Sequence, residues 1–286
     1  HYDISRTNVK NFKKYINKKK LKNIYSNNVD LVEHKLPKNK FDLVYLHGIA
    51  QHFSHTGKGL INIFDAMKPN SYLWLYFYRS GTYAHFIHAI IRKLTRHINI
   101  EEFYKFILLF SYKSEDILLL RNNKAVADYF TASIMDTAFV DYHYLYEPKQ
   151  VRLFLKENYI TITGSSLEYP KTKDRVNHDL FHESVIFYCK KENIIKNKKK
   201  KNSKYILSPK SSIDQTNLNL YIKNSIQYKI LKIFNKKFNK IKNDKFLIAA
   251  ISFKLKKIQF EGKTNKNKKI NSKFYLNKIL ELFKNI

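Results

Sequence analysis

The amino-acid sequence predicts a doubly wound α/β sheet with a helical cap insertion and a mostly helical, basic C-terminal extension. Two near-continuous apolar runs of strand length, Phe41–His47 and Tyr72–Tyr78, are typical of strands that are covered on both faces of a parallel sheet. A helical pattern lies between them, and the connections on either side are short. Such alternation of strands and helices indicates repeating βα units.

The first half of this pattern runs from residue 8 to residue 71. Residues 8–21 predict a helix, because apolar residues recur at helical spacing among lysines. Residues 23–33 predict a short strand and a loop. Residues 55–67 predict a second helix, whose apolar side is formed by Leu60, Ile63, Phe64 and Met67. The run Lys68–Ser71 is expected to break this helix before the second buried strand begins.

The second half begins with residues 81–140, which contain no convincing strand pattern and predict the helical cap. Residues 147–159 predict a helix with Pro148 in its first turn, where the missing N–H is not needed. Residues 160–169 and 183–191 are rich in strand-forming residues and close the unit as two strands.

The composition limits the classes of protein to which this chain can belong. The 286 residues are 44% apolar and 15% aromatic, which is enough for a full core. No run approaches the length of a membrane-spanning helix, and the first ten residues lack the apolar segment of a signal peptide. Cys189 is the only cysteine, which excludes a disulfide framework and a cysteine-based metal site. The expected setting is therefore reducing and cytoplasmic.

The formal net charge of +31 has two interpretations. A basic balance favours nucleic acid or an anionic membrane as a partner. The excess of Lys over Arg, together with abundant Asn and Ile, is also what an AT-rich genome would produce without selection for binding. A surface that reads phosphates favours the bidentate fork of Arg, so lysine bias favours the second interpretation.

The charge also marks a boundary near residue 190. Residues 191–286 contain 26 lysines, no arginine and five acidic residues, a net of +21. We predict a first domain over 1–190 that includes the cap, a Lys/Asn-rich linker over 191–204, and a basic extension of unknown role over 205–286. In the extension, residues 224–241 predict a basic amphipathic helix that contacts an anionic membrane or packs on a partner. Residues 246–260 fit a strand or a buried helix equally, and 271–286 predict a final helix.

Four stretches, taken in order, resemble the class I S-adenosylmethionine (SAM) dependent methyltransferases, especially the type 11 and type 12 methyltransferase domains. They are YDIS at 2–5, LPKNKFDLVYLHGIAQHF at 36–53, GKGLINIFDAMKPNSYLWLYFYR at 57–79 and YLYEPKQVRLFLKENYITI at 144–162. The resemblance implies that the family's first strand and glycine-rich loop would precede Asp3. We therefore expect the chain to be a fragment that binds SAM poorly by itself. Asn70-Ser71 replaces the family's Gly-Gly turn, and Asn tolerates the left-handed backbone that the turn needs.

The resemblance also implies cofactor-binding residues. Asp3 would accept hydrogen bonds from the ribose hydroxyls, although an acid in the first turn of the next helix is the alternative. Asp30 and Leu31 would meet the adenine, with a solvated loop acid as the alternative for Asp30. His47 and Gly48 would lie under the cofactor, where a glycine permits close backbone approach.

The same resemblance places the acceptor side of the site after the strand at 41–47. Gln51 and His52 would face the substrate, and His52 is a candidate base, since the histidine pKa lies near working pH. Methyl transfer often needs only alignment, so the alternative is that His52 packs in the loop. Three further residues would line the substrate pocket or pack as an aromatic strip: Tyr142, His143 and Tyr146. No histidine spacing here favours a metal site.

The resemblance predicts an enzyme that transfers a methyl group from SAM to an O, N or C atom of a small molecule, glycan or lipid precursor. Two alternatives stay open at this point. One is a nucleic-acid-binding protein, or an RNA or DNA methyltransferase, that uses the basic tail. The other is a degenerate methyltransferase-like scaffold without catalysis. The expected partners are the substrate and, through the tail, a weakly bound anionic membrane.

Overall fold

The computed structural model describes residues 1–113, 124–140, 144–166, 184–193, 207, 211–212, 218, 224–264 and 272–286. The chain divides into two compact units. Of the described residues, the first unit contains 1–78, 144–166, 184–193 and 207, and the second contains the others. The predicted pair of buried strands lies in the first unit. The predicted cap and the described helices of the basic extension both lie in the second.

The helices, in chain order, are α1 (Arg6–Lys18), α2 (Thr56–Ala66), α3 (Tyr83–Thr95), α4 (Ile100–Lys113), α5 (Lys124–Phe139), α6 (Pro148–Glu157), α7 (Ser225–Ile241), α8 (Lys245–Thr264) and α9 (Ser272–Lys284). The strands are β1 (Tyr2–Asp3), β2 (Asn27–Asn28), β3 (Phe41–Leu46), β4 (Met67–Tyr78), β5 (Tyr144–Leu145), β6 (Ile160–Ser165), β7 (Ser184–Lys191) and β8 (Ser211–Ser212). A 3₁₀ turn, Ala50–His52, stands between β3 and α2.

The first unit is built on a four-stranded sheet with the order β3–β4–β7–β6. β3 and β4 are parallel, with Leu43 opposite Tyr72 and Leu46 opposite Leu75. β7 runs antiparallel to β4 and to β6. β1 and β2 form a separate parallel pair. The α/β fold predicted from the sequence is therefore confirmed, including the parallel pairing of its two apolar strands.

The core of the first unit lies between one face of this sheet and helices α2 and α6. Alternate residues of β4, namely Leu73, Leu75 and Phe77, point into it. Lys191 reaches over the end of α2, where its ammonium donates to the carbonyls of Phe64 at 2.8 Å and Met67 at 2.6 Å. A cation at this position is favourable, because the last carbonyls of a helix carry partial negative charge.

The prediction that β3 is covered on both faces is wrong. Leu43 and Tyr45 are 65% and 63% exposed, whereas Leu46 is buried. The reason is that α2 and α6 pack on the face that carries Leu46, so the alternate residues of β3 face outward. An apolar run thus marks a strand without revealing how many of its faces are covered.

The end of α2 also differs from the prediction. The helix ends at Ala66, and the buried Met67 begins β4 opposite Phe41. The run Lys68–Ser71 lies within β4 at a shift of register, so it interrupts the strand rather than preceding it. Asn70 has φ +62°, which confirms that Asn supplies the left-handed residue of this turn.

The second unit is helical in its larger part. The predicted amphipathic helix is confirmed as α7, whose apolar face carries Ile230, Leu231, Phe234 and Ile241, all buried. The ring of Phe234 lies 5.3 Å from that of Phe283 on α9. The undecided segment 246–260 is part of α8, which contacts both α3 and α4. The apolar face of α7 therefore packs within this unit.

None of the helices in the described ranges combines the length and the apolarity that crossing a bilayer requires.

Candidate functional site

Asp3 stands at the end of β1, where it braces the start of α1. One carboxylate oxygen accepts from the backbone N–H of Ser5 at 2.7 Å, and the other accepts from the side-chain amide of Asn8 at 3.2 Å. Ser5 is the N-cap of α1 and accepts from the N–H of Asn8. A carboxylate offers about four acceptor positions, so Asp3 retains capacity for further donors.

The segment after β2 holds Asp30 and Leu31. A carboxylate oxygen of Asp30 accepts from the N–H of Val32 at 2.8 Å, which closes a local turn. The side chain of Leu31 belongs to the core, and its carbonyl accepts from Asn62 of α2 at 3.0 Å. Glu33 forms a 2.7 Å ion pair with Lys58. Of the two acids in this segment, Glu33 is thus engaged by a cation on α2.

Helix α2 brings the segments after β2 and after β3 together. A Cβ atom at Gly59 would lie 2.6 Å from the ring of Phe53 and 3.4 Å from the side chain of Val32. A Cβ contact under 3 Å requires a neighbour to move, so glycine at this position permits the ring of Phe53 to approach the helix this closely. The contact places Asp30 and the residues after β3 in one neighbourhood of the first unit.

His47 and Gly48 follow β3 directly. Gly48 has φ +71°, a left-handed conformation that L side chains rarely adopt. Among the described residues, its two chain neighbours aside, no atom lies within 4 Å of the position that a Cβ would occupy, so its backbone borders open space in this part of the structure. The exposed ring of His47 lies parallel to that of Tyr45 at 5.6 Å, and 4.6 Å from that of Tyr76.

The 3₁₀ turn that follows carries both predicted acceptor-side residues. Gln51 is fully buried, and within the described part of the chain neither its amide nitrogen nor its amide oxygen has a hydrogen-bond partner. The half-buried ring of His52 lies edge-on to that of Tyr78 at 5.6 Å. A buried amide in this state costs free energy unless a ligand group or a water molecule pairs with it.

His55, the third histidine of this stretch, caps helix α2. Its Nδ1 accepts from the N–H of Lys58 at 3.2 Å, which satisfies a donor of the first turn. Across the described residues, no group of three or more His, Cys, Asp or Glu side chains is arranged to hold a metal ion.

Tyr146 stabilises the 3₁₀ turn through two buried hydrogen bonds in series. Its buried phenol donates to the hydroxyl of Thr56 at 2.7 Å, and Thr56 donates to the carbonyl of Ala50 at 3.1 Å. Burial raises the pKa of Tyr146 to about 12, against the opposing effect of the Thr56 hydrogen bond. Sequence reasoning did not identify Thr56, since a threonine at the start of a helix carries no sign of a partner 90 residues away.

The other two predicted pocket residues, Tyr142 and His143, lie outside the described residues. The structure therefore brings together His47, Gly48, Gln51 and His52 after β3, with the Asp30 segment beside them. Asp3 lies at the end of the neighbouring parallel pair, and the ring of Tyr2 on β1 is 6.1 Å from that of Phe41 on β3.

Residues 1–75 match the family model described as a methyltransferase domain. This stretch contains Asp3, Asp30, His47, Gly48, Gln51 and His52. The match confirms the resemblance to SAM-dependent methyltransferases over these residues and implies SAM as the cofactor. No curated protein matches the chain.

Solved structures give similarities at low identity. PKMT2 from Rickettsia typhi shares 14% identity with a TM-score of 0.47, covering 69% of this chain and 45% of its own. The same protein in complex with AdoHcy shares 14% identity with a TM-score of 0.44, covering 86% and 60%. The YcgJ protein from Bacillus subtilis shares 11% identity with a TM-score of 0.40, covering 68% and 82%. The chain thus spans less than half of the first PKMT2 chain.

Proposed function

We propose that this chain takes part in methyl transfer from SAM to an O, N or C atom of a small molecule, glycan or lipid precursor. The observation that carries the proposal is the position of Asp3 at the end of β1, within the 75 residues that match a methyltransferase domain. Its carboxylate keeps acceptor capacity after bracing α1.

The hydrogen-bond acceptors in this part of the chain fit the hydroxyls and amino group of the cofactor. SAM supplies a methyl group that its own cationic sulfur activates. Asp3 would accept hydrogen bonds from the two adjacent ribose hydroxyls. Asp30 and Leu31 would meet the adenine, with Leu31 contributing backbone polar groups, because its side chain is buried in the core. Gly48 supports this assignment, since its backbone borders open space that a ligand can enter.

The acceptor would lie against the 3₁₀ turn. The amide nitrogen and oxygen of Gln51 have no hydrogen-bond partner among the described residues. The Gln51 amide would therefore bind and orient the group that receives the methyl. His52 would hold the proton that an oxygen or nitrogen nucleophile releases. Tyr142 and His143 are proposed as further lining residues. Tyr146 would act as a positioning residue, because its phenol holds Thr56 and, through Thr56, the turn itself.

The test is equilibrium dialysis of the chain against radiolabelled SAM, which also registers weak binding. We expect Asp3→Ala to weaken binding by roughly ten- to a hundredfold, since a hydrogen bond to a charged group contributes about 1.5–3 kcal/mol. Asp42→Ala is the matched control, because Asp42 is an exposed acid on β3 that pairs with Lys68.

Each outcome has a distinct meaning. Equal loss of binding in Asp3→Ala and Asp42→Ala would indicate a general effect of negative charge and remove Asp3 from the site. Unchanged binding in Asp3→Ala would do the same. If the unmodified chain retains no SAM at millimolar ligand, the proposal fails for this chain and the scaffold alternative is favoured.

A further inference from the structure

Asn62 on α2 binds three backbone groups of the segment that follows β2. Its amide nitrogen donates to the carbonyl of Leu31 at 3.0 Å and to the carbonyl of His34. Its amide oxygen accepts from the N–H of Leu36 at 3.0 Å. A primary amide offers two N–H donors and a carbonyl acceptor, so Asn62 uses both kinds of group. One half-buried side chain thus fixes the irregular backbone from Leu31 to Leu36.

The peptide unit between Leu31 and Val32 is held at both of its polar groups. Its carbonyl accepts from Asn62, and its N–H donates to a carboxylate oxygen of Asp30 at 2.8 Å. Because the peptide unit is planar, its carbonyl and its N–H cannot turn independently. The bond from Asn62 to the carbonyl therefore also fixes the direction of the N–H, and with it the carboxylate oxygen that this N–H meets.

The side chains of this segment hold it in place but do not orient it. Leu31 and Val32 are buried, and the N–H of His34 donates to the backbone carbonyl of Asp30 at 2.9 Å. Apolar burial is not directional, so it does not determine how a peptide unit is turned. The orientation of the peptide after Leu31 depends on its two hydrogen bonds.

A second contact from α2 to the segment is the ion pair of Lys58 with Glu33. Lys58 precedes Asn62 by four residues, so the two side chains lie on the same side of the helix. Both charged side chains of the pair are more than half exposed. An exposed ion pair contributes little, because solvent screens it. Asn62 is therefore the contact from α2 that determines the backbone geometry beside Asp30.

We propose that Asn62 is a positioning residue for the adenine of the cofactor. It fixes the peptide between Leu31 and Val32, this peptide orients the carboxylate of Asp30, and that carboxylate accepts a hydrogen bond from the adenine amino group. The inference rests on the proposed function, in which Asp30 meets the adenine. It adds a selectivity for the base, since a carboxylate accepts from an amino group and is repelled by a carbonyl oxygen in the same place.

The experiment compares S-adenosylhomocysteine with S-inosylhomocysteine, in which a carbonyl oxygen replaces the amino group of the base. Each radiolabelled ligand is equilibrated by dialysis against the full chain and against its variants. The measured quantity is the ratio of the two dissociation constants. A substitution that only lowers the fraction of folded chain weakens both ligands by the same factor, so it leaves this ratio unchanged.

We expect the unmodified chain to bind the adenine ligand about tenfold more tightly or better, the factor that one hydrogen bond to a charged group supplies. Asn62→Ala should bring the ratio close to one. Asn158→Ala is the matched control and should leave the ratio unchanged. Asn158 also donates from its amide to a backbone carbonyl, that of Phe154 at 2.8 Å, but it does so at the end of α6.

Asp30→Ala tests whether Asn62 acts through that carboxylate. This variant should also bring the ratio close to one. Adding Asn62→Ala to Asp30→Ala should change the ratio no further, because two residues that act through one contact are not additive. A further fall of the ratio in the double variant would mean that Asn62 does not act through Asp30, which overturns the inference.

A second measurement needs no ligand. Amide hydrogen exchange is followed by NMR in the unmodified chain and in Asn62→Ala, relative to the amides of β4, which report global unfolding. The N–H of Leu36 loses its acceptor and should exchange about fivefold faster, the factor for one ordinary hydrogen bond. The N–H of Val32 keeps its acceptor on Asp30 but should also exchange faster, because its peptide is no longer held at the carbonyl.

The outcomes separate this inference from the proposed function. An unchanged ratio in Asn62→Ala, or equal binding of the two ligands by the unmodified chain, would overturn the inference and leave SAM binding intact. Unchanged exchange at Val32 in Asn62→Ala would overturn it without any ligand. If the unmodified chain binds neither ligand at millimolar concentration, the proposed function fails, and the role of Asn62 toward adenine fails with it.

Discussion

The phenol of Tyr146 and the hydroxyl of Thr56 form a buried 2.7 Å hydrogen bond between the residue after β5 and the first residue of α2. Because the Thr56 hydroxyl in turn donates a hydrogen bond to the carbonyl of Ala50, the pair holds the 3₁₀ turn against the sheet. The backbone N–H of Tyr146 also donates to the carbonyl of Tyr78 at 3.0 Å. Tyr146 is thereby fixed at both its backbone and its side chain.

Tyr146→Phe is expected to lower the free energy of unfolding by about 1 kcal/mol, the usual contribution of one buried hydrogen bond. Urea unfolding of the variant and the unmodified chain measures this. Tyr129→Phe, at a tyrosine that is 72% exposed, should leave stability within about 0.5 kcal/mol. Equal effects of the two substitutions would mean that the Thr56 contact contributes nothing.

Alanine substitutions at two glycines near the site should change the free energy of unfolding in opposite directions. Gly48→Ala forces an L side chain to φ +71° and should cost about 1–2 kcal/mol, although the space around it is open. Gly57 lies in the first turn of α2, and its added Cβ would meet its nearest neighbours at 3.8 Å. Gly57→Ala should therefore stabilise by up to about 1 kcal/mol. Thermal unfolding of both variants tests the contrast, and a stabilising Gly48→Ala would contradict it.

His88 should make the chain less stable in mild acid. Its Nε2 lies 3.1 Å from the ammonium of Lys256 and 3.2 Å from the side-chain oxygen of Gln259. Burial, and then the charge of Lys256, hold the pKa of His88 well below 6.5 in the folded state. As pH falls through about 6.5, the unfolded chain binds a proton at this residue and the folded chain does not. The folded state therefore loses stability as pH falls, by at most about 1.4 kcal/mol per pH unit.

The measurement is urea unfolding between pH 8 and pH 5. His88→Gln keeps an acceptor for Lys256 and should flatten the acid side of the stability profile. His97→Gln, at an exposed histidine of the same unit, is the matched control for the loss of a histidine. Parallel profiles for the unmodified chain and His88→Gln would show that this residue does not take part.

The apolar face of α7 should behave as a core and not as a free surface. Phe234 is fully buried, with the rings of Phe238 and Phe283 at 5.5 and 5.3 Å. Phe234→Ala should cost about 3–5 kcal/mol, the usual range for truncating a buried phenylalanine. Tyr228→Ala on the same helix should cost far less. A small effect of Phe234→Ala in urea unfolding would favour a helix whose apolar side is available to a membrane or a partner.

The sequence determined the kinds of elements and most of their limits. The apolar runs at 41–47 and 72–78 became parallel strands, the cap became helices, and Pro148 stands in the first turn of α6. These features depend on neighbours within a few residues, through side-chain periodicity and the backbone preferences of Pro and Asn. The match to a methyltransferase domain covers residues 1–75, which include the stretches at 2–5 and 36–53. The roles of Asp3, Asp30 and His52 remain proposals.

Only the tertiary structure decided which surfaces are covered and which polar groups find partners. The apolar pattern of residues 246–260 fits a strand and a helix equally well. In the structure these residues are part of helix α8, which packs in the second unit. The exposure of Leu43 and Tyr45 depends on which face α2 and α6 occupy, which an apolar run in β3 does not encode. The bond between Tyr146 and Thr56 joins residues 90 positions apart. Burial and hydrogen bonding of this kind depend on residues distant in the chain, whereas the sequence patterns report only on near neighbours.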